Sequence, residues 1–239
     1  MESAVKYSDS LLRSNGRGYI CVTGVHGIIE AQSDPEFLSI LNSSYLTAPD
    51  GMPTVWVGRI QGHAGMSRVY GPEYMLEMCR MSVERGYRHF LYGGKPGVAQ
   101  ALADALRIKV PGVEIVGAFT PPFQELSATE EEELIAAVRE TRPDILWVGL
   151  STPKQERFMN EYLGRLDADL MVGVGAAFDI HTGKIKDAPA WMKLVGLQWA
   201  HRLAQEPRRL WRRYLINNPT FIWCIILQFF GIRKHSINY

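Results

Sequence analysis

Five segments of this chain set polar or amide-rich residues directly behind apolar runs. Thr23 and His26 close and follow the run at residues 18–23, and Asp50-Gly51 follows the run at 45–48. Gly93-Gly94 follows 89–92, residues 151–156 with Gln155 and Glu156 follow 145–150, and Gly175, Phe178 and Asp179 follow 170–174. In an open parallel sheet, ligands bind beyond the carboxyl ends of the strands, so these residues would meet at one edge. A meeting of hydroxyl, imidazole, carboxylate and amide groups suits a polar, phosphorylated small molecule better than a protein surface. It points to an enzyme.

Each segment alone has a second reading. Residues 90–97 form an amide-lined concavity before a helix, where exposed N–H groups attract phosphate, or a tight turn with no ligand. They match neither GxGxxG with a downstream acid nor GxxxxGK[ST], which disfavours a dinucleotide dehydrogenase or a P-loop enzyme. Asp50-Gly51 reads on spacing as an ordinary Asp-Gly turn or as a catalytic acid. His26 is either a satisfied structural histidine or a ligand contact. Asp167-Ala168-Asp169 has the form of a carboxylate pair that holds a metal against a diphosphate, but it precedes the run at 170–174. That places it in a helix-to-strand loop on the wrong side of its strand, so neither a metal site nor a cofactor is expected.

Helical periodicity at 71–85, 98–109, 127–140 and 154–166 alternates with the apolar runs, and Ser127 with Glu130 has the spacing of a capping box. Continuous apolar strands joined by helices predict an α/β fold, a Rossmann-like, mainly parallel sheet covered by helices. No repeat and no Gly/Ser-rich linker divides the chain, so residues 1–195 are expected to form one core and 196–239 a helical appendage.

With 239 residues, 46% of them hydrophobic, the chain can bury a sizeable core. Its 26 Lys and Arg against 25 Asp and Glu give no argument for nucleic acid as a partner. Cys21, Cys79 and Cys224 are widely spaced, which fits neither a disulfide framework nor a zinc cluster and suits a reducing compartment. The first residues have no apolar run behind a basic start, so a cytoplasmic location is expected.

Read together, Thr23-Gly-Val-His26-Gly, Ala48-Pro-Asp50-Gly-Met-Pro53, Pro153-Lys-Gln155-Glu156 and Gly173-Val-Gly175-Ala-Ala-Phe178-Asp179 resemble the WecG/TagA/CpsF family of bacterial glycosyltransferases. Ala188-Pro189-Ala-Trp191-Met192 and Glu206-Pro207-Arg208-Arg209 extend the resemblance, which runs from about residue 20 to about residue 215. It implies an inverting, metal-independent enzyme that moves a sugar from a UDP-sugar donor to a polyprenyl-diphosphate-linked acceptor, in making wall teichoic acid, enterobacterial common antigen or capsular and exopolysaccharide units. UDP-N-acetylmannosamine, its uronic acid and UDP-glucose are all donors open to the family. The resemblance also maps a general base onto Asp50 and a supporting threonine onto Thr23, although Gly-Val-His-Gly stands where other members carry a Pro-Asn pair.

Inversion needs a base to deprotonate the attacking hydroxyl, and Asp50 is the best-placed carboxylate. Without a metal, the departing diphosphate must be met by amides, helix termini or arginines. Donor contacts are assigned to His26, Gly93, Gly94, Gln155, Glu156, Gly175, Phe178 and Asp179.

From Trp191 onward the chain reads as helices, with Arg208/Arg212 and Arg209/Arg213 each one turn apart. These four are assigned to the diphosphate or the acceptor. The apolar stretch at 221–230 is about half the ~20 residues a span requires, and Arg233 and Lys234 follow it. A basic, Trp- and Phe-bearing helix of this sort can lie on the inner membrane surface. The same stretch is open to packing on the core or to a homo-oligomer contact. By resemblance, the appendage anchors the enzyme and closes over the site, bringing an arginine to the diphosphate. Two rival readings are a non-catalytic sugar-nucleotide sensor or scaffold, and a nucleotide-sugar epimerase or dehydrogenase.

Overall fold

Among the described residues, six strands, β1 (Gly18–Thr23), β2 (Leu46–Pro49), β3 (Arg88–Gly93), β4 (Glu114–Phe119), β5 (Ile145–Gly149) and β6 (Leu170–Gly173), form one sheet in the order β2-β1-β6-β5-β3-β4. Every pairing is parallel, with Ile20 beside Leu46 and Val172, and Leu91 beside Trp147. The computed structural model describes residues 1–122 and 124–232.

Side chains alternate across a strand, and here both faces are apolar because helices cover both. Ile20, Val22, Leu91, Trp147 and Val172 point into one cluster, while Tyr19, Cys21, Phe90, Tyr92, Leu146, Val148 and Met171 point into another. Among the described residues, twelve helices connect and cover the strands. They are α1 (Glu2–Arg13), α2 (Val25–Ser33), α3 (Pro35–Asn42), α4 (Met52–Ile60), α5 (Gly71–Arg85), α6 (Val98–Lys109), α7 (Ala128–Thr141), α8 (Lys154–Tyr162), α9 (Ala177–His181), α10 (Ala190–Leu194), α11 (Gln198–Gln205) and α12 (Pro207–Phe229). The first cluster takes Tyr74, Met75 and Met78 from α5, Leu102 and Leu106 from α6 and Phe178 from α9. The second takes Phe37 and Ile40 from α3, Leu134 and Val138 from α7 and Phe158 and Met159 from α8.

The expected α/β sheet is therefore present, and α5 and α6 occupy the predicted spans. Ser127 caps α7 reciprocally with Glu130: Ser127 N donates to Glu130 Oε2 at 2.8 Å, and Glu130 N to Ser127 Oγ at 3.3 Å. Helix α8 stops at Tyr162, short of the predicted 166, because Leu163 is extended and Gly164 turns left-handed at φ 82°. The Gly-Val-His-Gly segment opens α2, with Gly24 as its N-cap. The Asp167-Ala168-Asp169 loop precedes β6, and Arg17 reaches Asp167 at 3.3 Å and Asp169 at 3.7 Å.

Helix α12 packs on α2 and α11. Pro207 suits its first turn, and Pro219 lies inside it, removing one N–H from the helical ladder. Among the described residues, no helix is long and apolar enough to cross a membrane. Arg233 and Lys234 lie outside the described residues.

Candidate active site

A cleft of about 920 Å³ opens at the carboxyl edge of the sheet. The strands contribute Gly24 after β1, Asp50 after β2, Gly94 after β3, Ser151 and Thr152 after β5, and Gly175 after β6. Helices α11 and α12 form the opposite wall with Gln198, Trp199, Arg202, Arg209 and Arg213. The floor is tight where β3 meets β5. Gly93 has φ 128°, and a Cβ there would fall 2.7 Å from the Gly149 carbonyl carbon, so only glycine keeps the strands in register at the cleft.

Asp50 sits between β2 and α4, with its amide donating to the Thr23 carbonyl at 2.9 Å and Gly51 turning at φ 89° to start the helix. Arg68 donates to Asp50 Oδ1 through Nε and Nη2, at 3.1 Å each, and Nη2 also reaches Gln198 Oε1. The guanidinium lies 4.4 Å over the Tyr70 ring. Tyr70 in turn donates to Asp187 at 2.6 Å, and Asp187 pairs with Lys193 at 2.7 Å. Burial pushes the Asp50 carboxyl above its ordinary range, with Arg68 pulling in the opposite direction. Its side chain remains 33% exposed, so it is accessible from the cleft.

Three arginines of α11 and α12 face the same space. Arg202 and Arg209 both pair with Glu206, at 2.8 and 2.7 Å, and Arg213 lies one turn beyond Arg209. The Nε groups of Arg202 and Arg213 are buried without an acceptor among the described residues. Burial pushes the Arg213 pKa down. Such donors suit an anionic ligand with several oxygens, which planar guanidinium groups bind in a fixed geometry. Arg208 and Arg212 do not line the cleft; both are exposed, and Arg212 lies 5.3 Å from the Trp211 ring. The two basic stripes of α12 thus face different surroundings, as helical geometry requires of neighbouring residues.

The remaining candidates separate in the same way. Gly94, Gln155, Gly175 and Asp179 line the cleft. His26 lines it too, but both ring nitrogens are engaged: Asn217 Nδ2 donates to Nδ1 at 2.7 Å, which leaves Nε2 to donate to the Thr152 carbonyl at 3.4 Å. Burial and nearby Arg213 hold the ring neutral, with its pKa lowered to about 4. It ties α2 to α12. Thr23 is buried, its Oγ1 has no partner among the described residues, and it faces a smaller cavity of about 400 Å³ bordered by Ile28, Leu41 and Tyr45. Phe178 is buried beneath Gly94 and Gly149, where a Cβ on Gly149 would come within 2.5 Å of its ring. Glu156 is buried behind Gln155.

Arg68, Gln198 and Arg202 escape the sequence reading. Arg68 lies in an aperiodic stretch between α4 and α5 with no local signal. Arg202 does carry one, an i,i+4 pairing with Glu206 one turn before the Pro207 helix start.

Residues 1–235 match the sequence pattern described as the glycosyl transferase WecG/TagA/CpsF family. The chain belongs to that family. The glycosyltransferase is similar to two Bacillus proteins, each named N-acetylglucosaminyldiphosphoundecaprenol N-acetyl-beta-D-mannosaminyltransferase. It is 29% identical to that of Bacillus subtilis over 185 residues, covering 77% of this chain and 70% of the relative. To that of Bacillus spizizenii it is 26% identical over 227 residues, covering 95% and 86%.

Proposed function

We propose that this glycosyltransferase moves a sugar from a UDP donor onto a polyprenyl-diphosphate-linked saccharide with inversion, without a metal, in building a bacterial cell-surface polysaccharide. The observation that carries the reading is that Asp50 shares one cleft with Arg202, Arg209 and Arg213. Asp50 takes the proton of the acceptor hydroxyl as its oxygen attacks the anomeric carbon. The bond from that carbon to the diphosphate breaks, and the electron pair leaves with UDP, whose growing charge the arginines stabilise. Gly94, Gln155, Gly175 and Asp179 contact the donor, while Thr23 supports the backbone that carries Asp50.

Residues 1–195 form the core that holds the donor, and 196–239 form an appendage that completes the cleft. The appendage rests on the inner face of the cytoplasmic membrane. Support comes from α12, whose exposed residues include Trp211, Leu215, Ile222, Trp223 and Phe229 beside the outward-facing Arg208 and Arg212. The names of the two relatives favour N-acetylmannosamine as the transferred sugar and diphosphate-linked N-acetylglucosamine as the acceptor. The test is UDP release from a panel of UDP-sugars with a short-chain lipid-diphosphate N-acetylglucosamine. Release only when both donor and acceptor are present supports the reading, and no release with any donor contradicts it.

A further inference from the structure

Gln155 and Glu156, adjacent at the start of α8, are 3% and 0% exposed and share an incomplete set of hydrogen bonds. Glu156 Oε1 accepts twice, from Thr152 Oγ1 and from Gln155 Nε2, both at 2.9 Å. Glu156 Oε2 and Gln155 Oε1 accept from no group among the described residues. The Gln155 amide lies against two positions that lack a side chain: a Cβ on Gly173 would fall 3.1 Å from its Cδ and Nε2, and a Cβ on Gly175 3.5 Å from its Oε1. Gln155 and Gly175 line the cleft, whereas Glu156 does not.

An amide has a donor end and an acceptor end, and its orientation decides which group it recognises. With Nε2 turned to Glu156, the oxygen end lies at the cleft wall beside Gly175. Burial pushes the Glu156 carboxyl above its ordinary range, while the bonds from Gln155 and Thr152 favour its ionised form. Against the ionised carboxylate, the reversed amide would bring two acceptor oxygens together in a buried place, which costs heavily.

We propose that Glu156 is a positioning residue: its carboxylate fixes the Gln155 amide so that an acceptor oxygen meets the sugar nucleotide, selecting a ligand group that donates, a hydroxyl or an N–H. This rests on the sugar-nucleotide reading above and changes the role of Glu156 from donor contact to support for one. Glu156 acts only through Gln155, so the effects of changing the two residues are not additive.

The experiment combines side-chain amide NMR with calorimetric binding of UDP-N-acetylmannosamine, using the full chain. The Gln155 side-chain resonance is identified by its loss in Gln155→Ala. In the parent it should show the downfield N–H of a carboxylate-bound amide, lost in Glu156→Leu and largely kept in Glu156→Gln, whose oxygen accepts the same two bonds. Glu156→Leu and Gln155→Ala should each weaken binding about tenfold, and Glu156→Gln by no more than about threefold, as expected for one buried hydrogen bond. The double variant Gln155→Ala/Glu156→Leu should bind no worse than Gln155→Ala. Parent-like binding in Glu156→Leu, or additive losses in the double variant, overturns the proposal. If the leucine variant fails to fold, Glu156→Asp, one methylene too short to reach Gln155, gives the same contrast with Glu156→Gln. A parent that shows the fixed amide but binds no sugar nucleotide overturns the donor reading and the ligand half of this proposal. Normal binding with an unanchored amide overturns the positioning role alone.

Discussion

Arg68 donates to Asp50 twice through a single oxygen, Nε and Nη2 both reaching Oδ1 at 3.1 Å. The arginine therefore holds the carboxylate in place from one side. Because Nη2 also reaches Gln198 on α11, the same guanidinium couples the proposed base to the opposite wall of the cleft.

Arg68→Met should raise the Asp50 pKa further, since burial already pushes it up and Arg68 is the main opposing influence. A base works deprotonated, so activity is lost as pH falls through that pKa, and the variant's acid limb should move to higher pH. The loss of a charged hydrogen bond of ~1.5–3 kcal/mol corresponds to a shift of about one to two pH units. A pH profile of kcat/KM with an unmoved acid limb would count against the pairing.

The arginines of α12 should divide by direction. Arg213→Ala should lower turnover on a soluble acceptor by about 10²–10³-fold, the usual cost of removing a donor to a developing anion. Changing Arg208 and Arg212 to serine should leave that turnover intact and weaken flotation with anionic vesicles, at about 1 kcal/mol per charge. Equal kinetic losses in both sets would remove the distinction.

Stability should fall in mild acid. Burial holds His89 down at about 3, and His26 and His181 at about 4. The unfolded histidine pKa is ~6.5, so below that pH the unfolded chain gains protons that the folded chain refuses. Stability is complete above about pH 6.5 and drains as pH falls toward these lower values, by up to ~1.4 kcal/mol per unit for each histidine. His89→Asn, whose side-chain oxygen can take the Trp147 indole N–H that His89 Nδ1 accepts at 2.9 Å, should flatten the slope by about one proton. Urea midpoints at pH 7 and pH 5 check this, and parallel slopes would refute it.

Chelation should not affect turnover. The Asp167-Ala168-Asp169 pair precedes β6, engaged with Arg17, and the cleft is lined by cationic side chains, Arg68, Lys95, Lys154, Arg157, Arg202, Arg209 and Arg213. Turnover lost in EDTA and restored by Mg²⁺ or Mn²⁺ would contradict the arginine account.

The parts of this molecule legible in its sequence are those governed by local periodicity. Helices α5 and α6 show an uninterrupted apolar period, and the Ser127–Glu130 box marks the start of α7 with specific hydrogen bonds. Helices α2 and α4 were not readable in this way: neither has a side-chain cap, and both begin from glycines that look like turns. Asp50 could be found because Asp-Gly follows a strand. Arg68 could not, since its role comes from a contact between residues 18 positions apart in the chain. His26 and Phe178 matched a motif, yet one became a tie to Asn217 and the other a prop beneath Gly94 and Gly149, and only packing separates those uses from ligand contact.

The most direct test of the proposed chemistry is the turnover of Asp50→Asn, which keeps the shape of the side chain and removes its ability to take a proton. Transfer from the UDP-sugar to the lipid-diphosphate acceptor should fall by about 10²-fold or more, the scale of general-base catalysis, while UDP affinity and thermal stability stay near those of the parent. Turnover equal to the parent's would contradict Asp50 as the base and with it the central claim.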